Sequence, residues 1–375
     1  MKILIIPDSF KDSISSTEII TIFSKEFKSL DNEIEIFGCV ASDGGEGFLD
    51  AVANSVDISE ITINTVDPLN RQIKSKYLFQ NDSKTAYVEL AQASGLELLK
   101  IEERNPKLTS TKGTGIIIED AIRRGAETVF IGLGGSATTD AGLGIVDQLG
   151  LQFFDIKGEL LEPNGENLIK VQFIKGNYLF PNVKFVVVND VNNPLFGPNG
   201  AAFIYAKQKG ANEEDIIELD SGLRHISEIA KENGFKDSAE VAGAGAAGGA
   251  AFGLMTFCNA EFISGIEFIF KLSRVEDILK INKVDFIITG EGSLDSQSLQ
   301  GKLISGVSGL GKRFKVPVIA ICGRLALSQN EYKQHGIFYA TTIADASVSK
   351  HESIKNAEKY LRTIPRKLLP IMKDY

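Results

Sequence analysis

The sequence predicts an α/β protein built on parallel strands, with a second, mixed α/β domain inserted into the first. Two observations carry this. Toward both ends of the chain, short β-branched runs alternate with longer amphipathic stretches, the pattern of parallel strands joined through helices. The middle differs: Glu60–Phe79 and Lys84–Leu90 alternate Ile, Val and Tyr with polar residues around Asp67-Pro68-Leu69-Asn70 and Asn81-Asp82, as antiparallel hairpins do. Length agrees, since 375 residues exceed one ordinary core and a prior of roughly 150 residues per domain suggests two. Segments 1–66 and 284–375 therefore read as one discontinuous, Rossmann/flavodoxin-like parallel-sheet domain. Segment 67–283 reads as the inserted mixed α/β domain.

The elements follow in order. Ile3-Leu4-Ile5-Ile6 is stopped by Pro7-Asp8, so Lys2–Pro7 is a buried strand and not the start of a signal peptide. Glu33–Val40, Thr128–Leu133, Val183–Asn189, Asp285–Thr289, Val316–Cys322 and Gly336–Thr341 are the other buried strands. Helical patterns occupy Ser15–Ser29, Thr138–Leu149, Leu299–Phe314 and His351–Leu361. Gly243–Gly253 is the one low-complexity stretch. It is too glycine-rich for a helix, and its use is the close approach of another backbone or helix, ahead of direct phosphate contact.

Composition excludes several classes. A hydrophobic fraction of 43% with 24% charged residues is that of a globular protein. No run approaches the roughly 20 apolar residues of a membrane helix. A net charge of −9 argues against bulk nucleic-acid binding. Cys39, Cys258 and Cys322 are isolated and odd in number, forming neither a disulfide framework nor a zinc pattern, which points to a reducing, cytoplasmic setting. A homo-oligomer stays open.

Ligands of parallel α/β sheets bind beyond the carboxyl ends of strands. Five such ends carry Gly, Asp and Ser: Asp8-Ser9-Phe10-Lys11, Asp43-Gly44-Gly45-Glu46-Gly47, Gly134-Gly135-Ser136, Asn189-Asp190-Val191-Asn192-Asn193-Pro194, and Gly290-Glu291-Gly292-Ser293-Leu294-Asp295. Phosphoryl transfer to an alcohol asks for N–H groups and cations around phosphates, carboxylates for Mg²⁺, and an acceptor for the hydroxyl proton. Gly134-Gly135-Ser136 is expected to open a helix and present N–H groups to a phosphate; its bland reading is a tight turn with Ser136 as N-cap. Thr109–Gly115 precedes a helix and lines either a phosphate or nothing. Glu291 and Asp295 are a candidate Mg²⁺ pair, or a solvated acid and a helix cap. Asp190 is a candidate general base, or an Asx-turn. Lys11 is a candidate for neutralising phosphate charge, and Lys207 and Lys209 are further cations with a surface role equally open.

Two motifs compete. Gly306 to Lys312 fits G-x-x-x-x-G-K, but Arg313 replaces Ser or Thr and the match ends a helical pattern, so it is accidental. Gly132-Leu133-Gly134-Gly135-Ser136-Ala137 fits a dinucleotide fingerprint, with Asp155 about twenty residues on. An NAD(P)-dependent oxidoreductase of a small hydroxy acid is therefore an alternative from another class. A non-catalytic sensor of such an acid is a third, disfavoured by the joint presence of Asp190, Glu291 and Asp295. None of the three histidines lies near the loops, so no histidine base is expected.

In order along the chain, Pro7–Lys11, Asp43–Gly47, Gly134–Thr138, Asp190–Gly200, Gly243–Gly249 and Thr289–Gln297 resemble the type-1 glycerate kinases of bacteria. The resemblance implies ATP-dependent phosphorylation of D-glycerate, leaning to 2-phosphoglycerate over 3-phosphoglycerate, in a cleft between two α/β domains. On it, glycerate would lie over Asp8, Ser9, Asp43, Gly44 and Gly45. ATP phosphates would meet Gly134, Gly135, Ser136 and Lys207, and Mg²⁺ would sit near Glu291 and Asp295. Asp190 would orient or deprotonate the hydroxyl, with Lys11 beside the developing charge. On sequence alone the roles of Asp190, Glu291 and Asp295 are interchangeable. The chain departs from the family pattern at Asp12, Phe48 and Ser293, the last standing where the family usually has Arg; Lys11, Lys302 or Arg324 would replace that cation.

Overall fold

The structure, a computed structural model, describes residues 1–10, 13–41, 44–45, 47–295, 303–345 and 348–375. Its strands are β1 (Lys2–Pro7), β2 (Glu35–Gly38), β3 (Ser59–Val66), β4 (Gln72–Gln80), β5 (Thr85–Glu89), β6 (Thr128–Gly132), β7 (Leu151–Phe154), β8 (Phe173–Gly176), β9 (Lys184–Val188), β10 (Glu261–Ile263), β11 (Phe286–Leu294), β12 (Val318–Leu325) and β13 (Ile337–Thr342). The chain divides into two compact units. One comprises Met1–Ser42, Asp50–Val56 and Ile266–Tyr375; the other comprises Asp43–Leu49 and Asp57–Gly265.

The first unit holds a five-stranded sheet in the order β13-β12-β11-β1-β2, parallel throughout. Counted within the unit this is the flavodoxin-like order 2-1-3-4-5, whose direction reverses between β1 and β11. The register pairs Ile6 with Thr289 and Pro7 with Gly290, so the two strand ends lie side by side at that switch point. Ile3, Ile5, Ile288, Ile319 and Ile321 pack against Ile19, Phe23 and Phe27 of the helix Ser16–Leu30. That helix starts at a capping box, where Ser15 and Glu18 satisfy each other's backbone N–H groups.

The second unit holds a six-stranded sheet, β10-β9-β6-β5-β4-β3. β3, β4 and β5 form the antiparallel meander that the alternating pattern predicts, while β5, β6, β9 and β10 run parallel. The β7–β8 hairpin stands apart. Val88, Ile131 and Val187 are fully buried, the strand centre of one continuous core.

Three local expectations change. The helix placed at Thr138–Leu149 is only Leu143–Gln148, because Ala141 and Gly142 take left-handed φ of 55° and 72° and the loop after β6 runs on to that point. β11 does not end at Thr289 but continues to Leu294, paired with β12. Gly243–Gly253, read as non-helical, enters the helix Ala246–Phe257 through left-handed residues Ala247, Gly248 and Gly249. Its glycines do serve close approach: a Cβ on Gly248 would lie 1.9 Å from the Thr138 carbonyl oxygen, and one on Gly253 2.3 Å from that of Ala141. The G-x-x-x-x-G-K match lies inside the helix Leu303–Phe314, where no phosphate loop forms.

Candidate active site

In the second unit three of the flagged loops come together: those that follow β6 and β9, and the turn at Gly44 and Gly45. Gly44 has φ +87°, and a Cβ there would sit 2.4 Å from the Val188 carbonyl oxygen at the end of β9. A Cβ on Gly134 would meet the Gly45 Cα at 2.3 Å, and one on Gly132 would meet the Gly44 carbonyl oxygen at 2.7 Å. These glycines are there because backbone lies on backbone, with no room for a methyl group. Phe48, fully buried, fills the same seam against Gly132. Gly44, Gly45, Gly134 and the Asn189–Asp190 turn are thus neighbours. Asp43 and Lys11 lie outside the described residues.

The loop Gly134–Ser136 does not open a helix. Its own carbonyl and the next N–H are tied to a neighbouring turn: Leu96 N–H donates to the Gly135 carbonyl at 2.8 Å, and Ala137 N–H donates to the Ser94 carbonyl at 2.8 Å. The N–H groups of Gly134, Gly135 and Ser136 themselves have no acceptor among the described residues. Gly135 is exposed and has φ +61°, the left-handed conformation that anion-binding nests contain. The hydroxyls of Thr138 and Thr139, both fully buried, likewise find no partner among the described residues.

The helix end the sequence reading wanted for phosphate is already taken. Asp140, fully buried, accepts from the Thr111 N–H and hydroxyl at 2.7 Å each, from Gly142 N–H at 3.2 Å and from Gly144 N–H at 3.3 Å. The last two amides belong to the start of Leu143–Gln148. Thr109–Gly115 therefore serves the interior: Thr111 holds Asp140, Thr109 donates to the Ala137 carbonyl, and Thr114 bonds Ser94 and Leu90. Burial raises the Asp140 carboxyl above its usual range, against the pull of these donors.

Lys207 is exposed, whereas Lys209 is buried at 2% exposure. The Lys209 Nζ donates to Ser136 Oγ at 2.8 Å and to the Thr138 carbonyl at 2.6 Å. Burial lowers it to about 7, opposed by the Asp140 charge. No spacing in the sequence separates it from Lys207; the turn geometry does.

Asp190 is half-buried just past β9, and its Oδ1 accepts from the Gly265 N–H at 3.0 Å. The Asx-turn weighed for it belongs instead to Asn189, whose Oδ1 accepts from Val191 N–H at 3.2 Å. The buried Asn189 Nδ2 has no partner among the described residues. Glu89, which sequence reasoning passed over, is a buried carboxylate at the end of β5 beside Gly132, accepting from Leu49 N–H at 3.2 Å. Only its place at a strand end marked it.

In the first unit, Asp8 and Glu291 directly follow the paired residues Pro7 and Gly290 at the switch point. Asp8 N–H donates to the Gly290 carbonyl at 2.8 Å and its carboxylate accepts from Ser9 N–H at 2.8 Å, leaving Ser9 exposed. Glu291 is 8% exposed and stands in β11 beside Cys322. Because β11 stays extended, four residues place Glu291 and Asp295 Cα atoms roughly 13 Å apart, so the two carboxylates do not sit side by side on one small cation. No cluster of three or more His, Cys, Asp or Glu suited to a metal occurs among the described residues. Arg324 is the register partner of Ser293 and is exposed, which puts a cation directly beside that position; Lys302 lies outside the described residues.

The dinucleotide fingerprint is not realised. No helix starts at Gly134–Ala137, and Asp155 closes a turn by accepting from Lys157 and Glu159 N–H groups. Among the described residues no helix is long and apolar enough to cross a membrane.

A sequence profile of the glycerate kinase family matches residues 3–373. The chain is 38% identical to glycerate 2-kinase of Escherichia coli K12 over 360 residues, covering 95% of this chain and 94% of that protein. It is 34% identical to glycerate kinase of Bacillus cereus ATCC 10987 over 376 residues, covering 100% and 98%. A crystal structure of a protein assigned as glycerate kinase 2 from Salmonella typhimurium LT2 superposes with a TM-score of 0.85 at 33% identity, covering 100% of this chain and 98% of that one.

Proposed function

The chain belongs to the glycerate kinase family, a family of phosphotransferases, and from that membership we propose that it transfers the γ-phosphate of ATP to D-glycerate, forming 2-phosphoglycerate. The observation that carries the ATP side is the run of three N–H groups at Gly134, Gly135 and Ser136 without an acceptor among the described residues, backed by the buried Lys209 side chain. Such amides are oriented before the phosphate arrives, so they stabilise its charge with little reorganisation. Lys207, at the surface nearby in sequence, is left as an outer contact to the nucleotide.

Asp190 is the base in this reading. Gly265 N–H fixes one carboxylate oxygen, which orients the other for the acceptor hydroxyl. Gly44 and Gly45, packed on the Asp190 and Gly134 loops, support a substrate-binding role for the turn that also contains Asp43. In the first unit, Asp8 and Ser9 at the switch point are proposed to hold glycerate, with Arg324 as the cation for its carboxylate and Lys11 beside the transferring group. A bound Mg²⁺ would be held by Glu291 or Asp295 with water and phosphate oxygens, and would neutralise charge on the phosphates. The two compact units are proposed to be the two domains, with the inserted one expected at 67–283 corresponding to the unit of Asp43–Leu49 and Asp57–Gly265. Three buried, unpaired cysteines support a cytoplasmic setting.

The test is ATP consumption with Mg²⁺ and D-glycerate, L-glycerate or no acceptor, the product read by phosphorus NMR. Turnover only with D-glycerate and a phosphorus signal coupled to the C2 proton is expected. A signal coupled to the C3 protons would replace the product by 3-phosphoglycerate, and no turnover would remove the assignment.

A further inference from the structure

One buried titratable group enters that mechanism only through the loop it supports. Lys209 reaches the interior through an unusual backbone path. A π-turn, Ala202–Ala206, passes into a single 3₁₀ turn, Lys207–Lys209, which ends at Gly210 with φ +98°. A Cβ on Gly210 would lie 2.1 Å from the Arg104 carbonyl oxygen, so only glycine completes the path. The result is that Lys207 and Gln208 face solvent while Lys209 alone points inward.

Desolvating an ammonium is costly, and an apolar side chain would fill the same space more stably. What the lysine touches shows its use. Both of its hydrogen bonds go to the loop after β6: one to the Ser136 hydroxyl, one to the Thr138 carbonyl. They bracket Ala137 and clamp the C-terminal side of the segment whose three N–H groups lack acceptors among the described residues. Its counter-charge, Asp140, is held from the other side by Thr111, Gly142 and Gly144, so it too is fixed.

We propose that Lys209 is the positioning residue of the phosphate loop: its Nζ, tied to Ser136 Oγ and the Thr138 carbonyl, sets the direction of the Gly134–Ser136 amides toward the ATP phosphates. This rests on the reading of that loop as the phosphate site. Lys209 itself does not touch the substrate; it acts through the loop.

The test measures KM for ATP and for D-glycerate separately in Lys209→Met, Lys209→Gln, Ser136→Ala and the Met/Ala double variant. Loss of both hydrogen bonds to the loop is expected to raise KM for ATP in K209M by about tenfold or more. KM for D-glycerate should stay within about twofold, because a general loss of structure would shift both. K209Q, which keeps a donor, should recover part of the loss. The double variant should be no worse than K209M, since both changes cut the same tie. An ATP KM within about twofold of wild type in a folded K209M, equal shifts in both KM values, or multiplying effects in the double variant would each overturn the proposal. If K209M does not fold, K209Q and S136A decide: an unchanged ATP KM in both overturns it, and a selective rise in both supports it. Gly134→Ala separates the two levels of the argument. A normal ATP KM in folded G134A removes the loop as phosphate site, whereas impaired G134A with normal K209M removes Lys209 alone.

Discussion

Replacing Gly134 by Ala adds a single methyl group, and its consequence follows from one distance. The new Cβ would sit 2.3 Å from the Gly45 Cα and 3.2 Å from the Gly45 nitrogen. Ordinary carbon–carbon contact is about 3.5–4.0 Å, so the two loops must part by more than an ångström. Neither obstacle is the end of a flexible side chain; both are backbone. A displacement of that size stretches an N–H to phosphate contact of about 2.9 Å beyond hydrogen-bonding range. Hydrogen bonds to charged groups contribute about 1.5–3 kcal/mol each, so losing two of the three amides predicts a fall in kcat/KM for ATP of about 10²–10⁴. Overpacking should also lower stability by about 1–3 kcal/mol. The assay is steady-state kinetics at varied ATP with saturating D-glycerate, alongside urea unfolding. A folded G134A whose kcat/KM for ATP stays within about threefold of wild type would refute the reasoning.

Three other outcomes are expected. Asp190→Asn keeps the shape and the Gly265 contact but removes the base, so kcat should fall by about 10²–10⁴ with little change in ATP affinity; near-normal turnover would take Asp190 out of the mechanism. Gly309→Ala, on the exposed face of Leu303–Phe314 with nothing within 4 Å of the new Cβ, should raise stability by about 0.5–1 kcal/mol without altering kinetics, read from the urea midpoint. Stability should also depend on Lys209: burial lowers it from 10.5 to about 7, so above pH 7 the unfolded chain binds the extra proton and stability rises with pH. Between pH 7 and 9 the lysine contributes at most about 1.4 kcal/mol per pH unit, a slope that K209M should lack in thermal or urea unfolding.

Much of the fold was legible because it rests on local periodicity. The apolar run Lys2–Pro7 became β1 to the residue, and the alternation through Glu60–Phe79 became the β3–β4 hairpin. Gly243–Gly253 drew attention as a stretch suited to close backbone approach, and Gly248 and Gly253 are where backbones touch. Family membership was equally readable, since six short motifs in a fixed order are written in residue types alone.

Other features were set by partners distant in sequence. β11 runs on through Gly290-Glu291-Gly292, residues that read as a turn, because β12 lies alongside to pair with them; the Glu291 and Asp295 spacing changed with it. The loop after β6 stays non-helical for ten residues because Asp140 is anchored by Thr111, about thirty positions earlier, and Gly248 lies on the Thr138 carbonyl. Lys207 and Lys209 are indistinguishable as letters. A π-turn, a 3₁₀ turn and a left-handed glycine, none with a sequence period of its own, decided that one faces water and the other holds Ser136. Periodicity and residue type report what the chain does locally; the direction of a side chain at an irregular turn is settled only by the surfaces against which that turn packs.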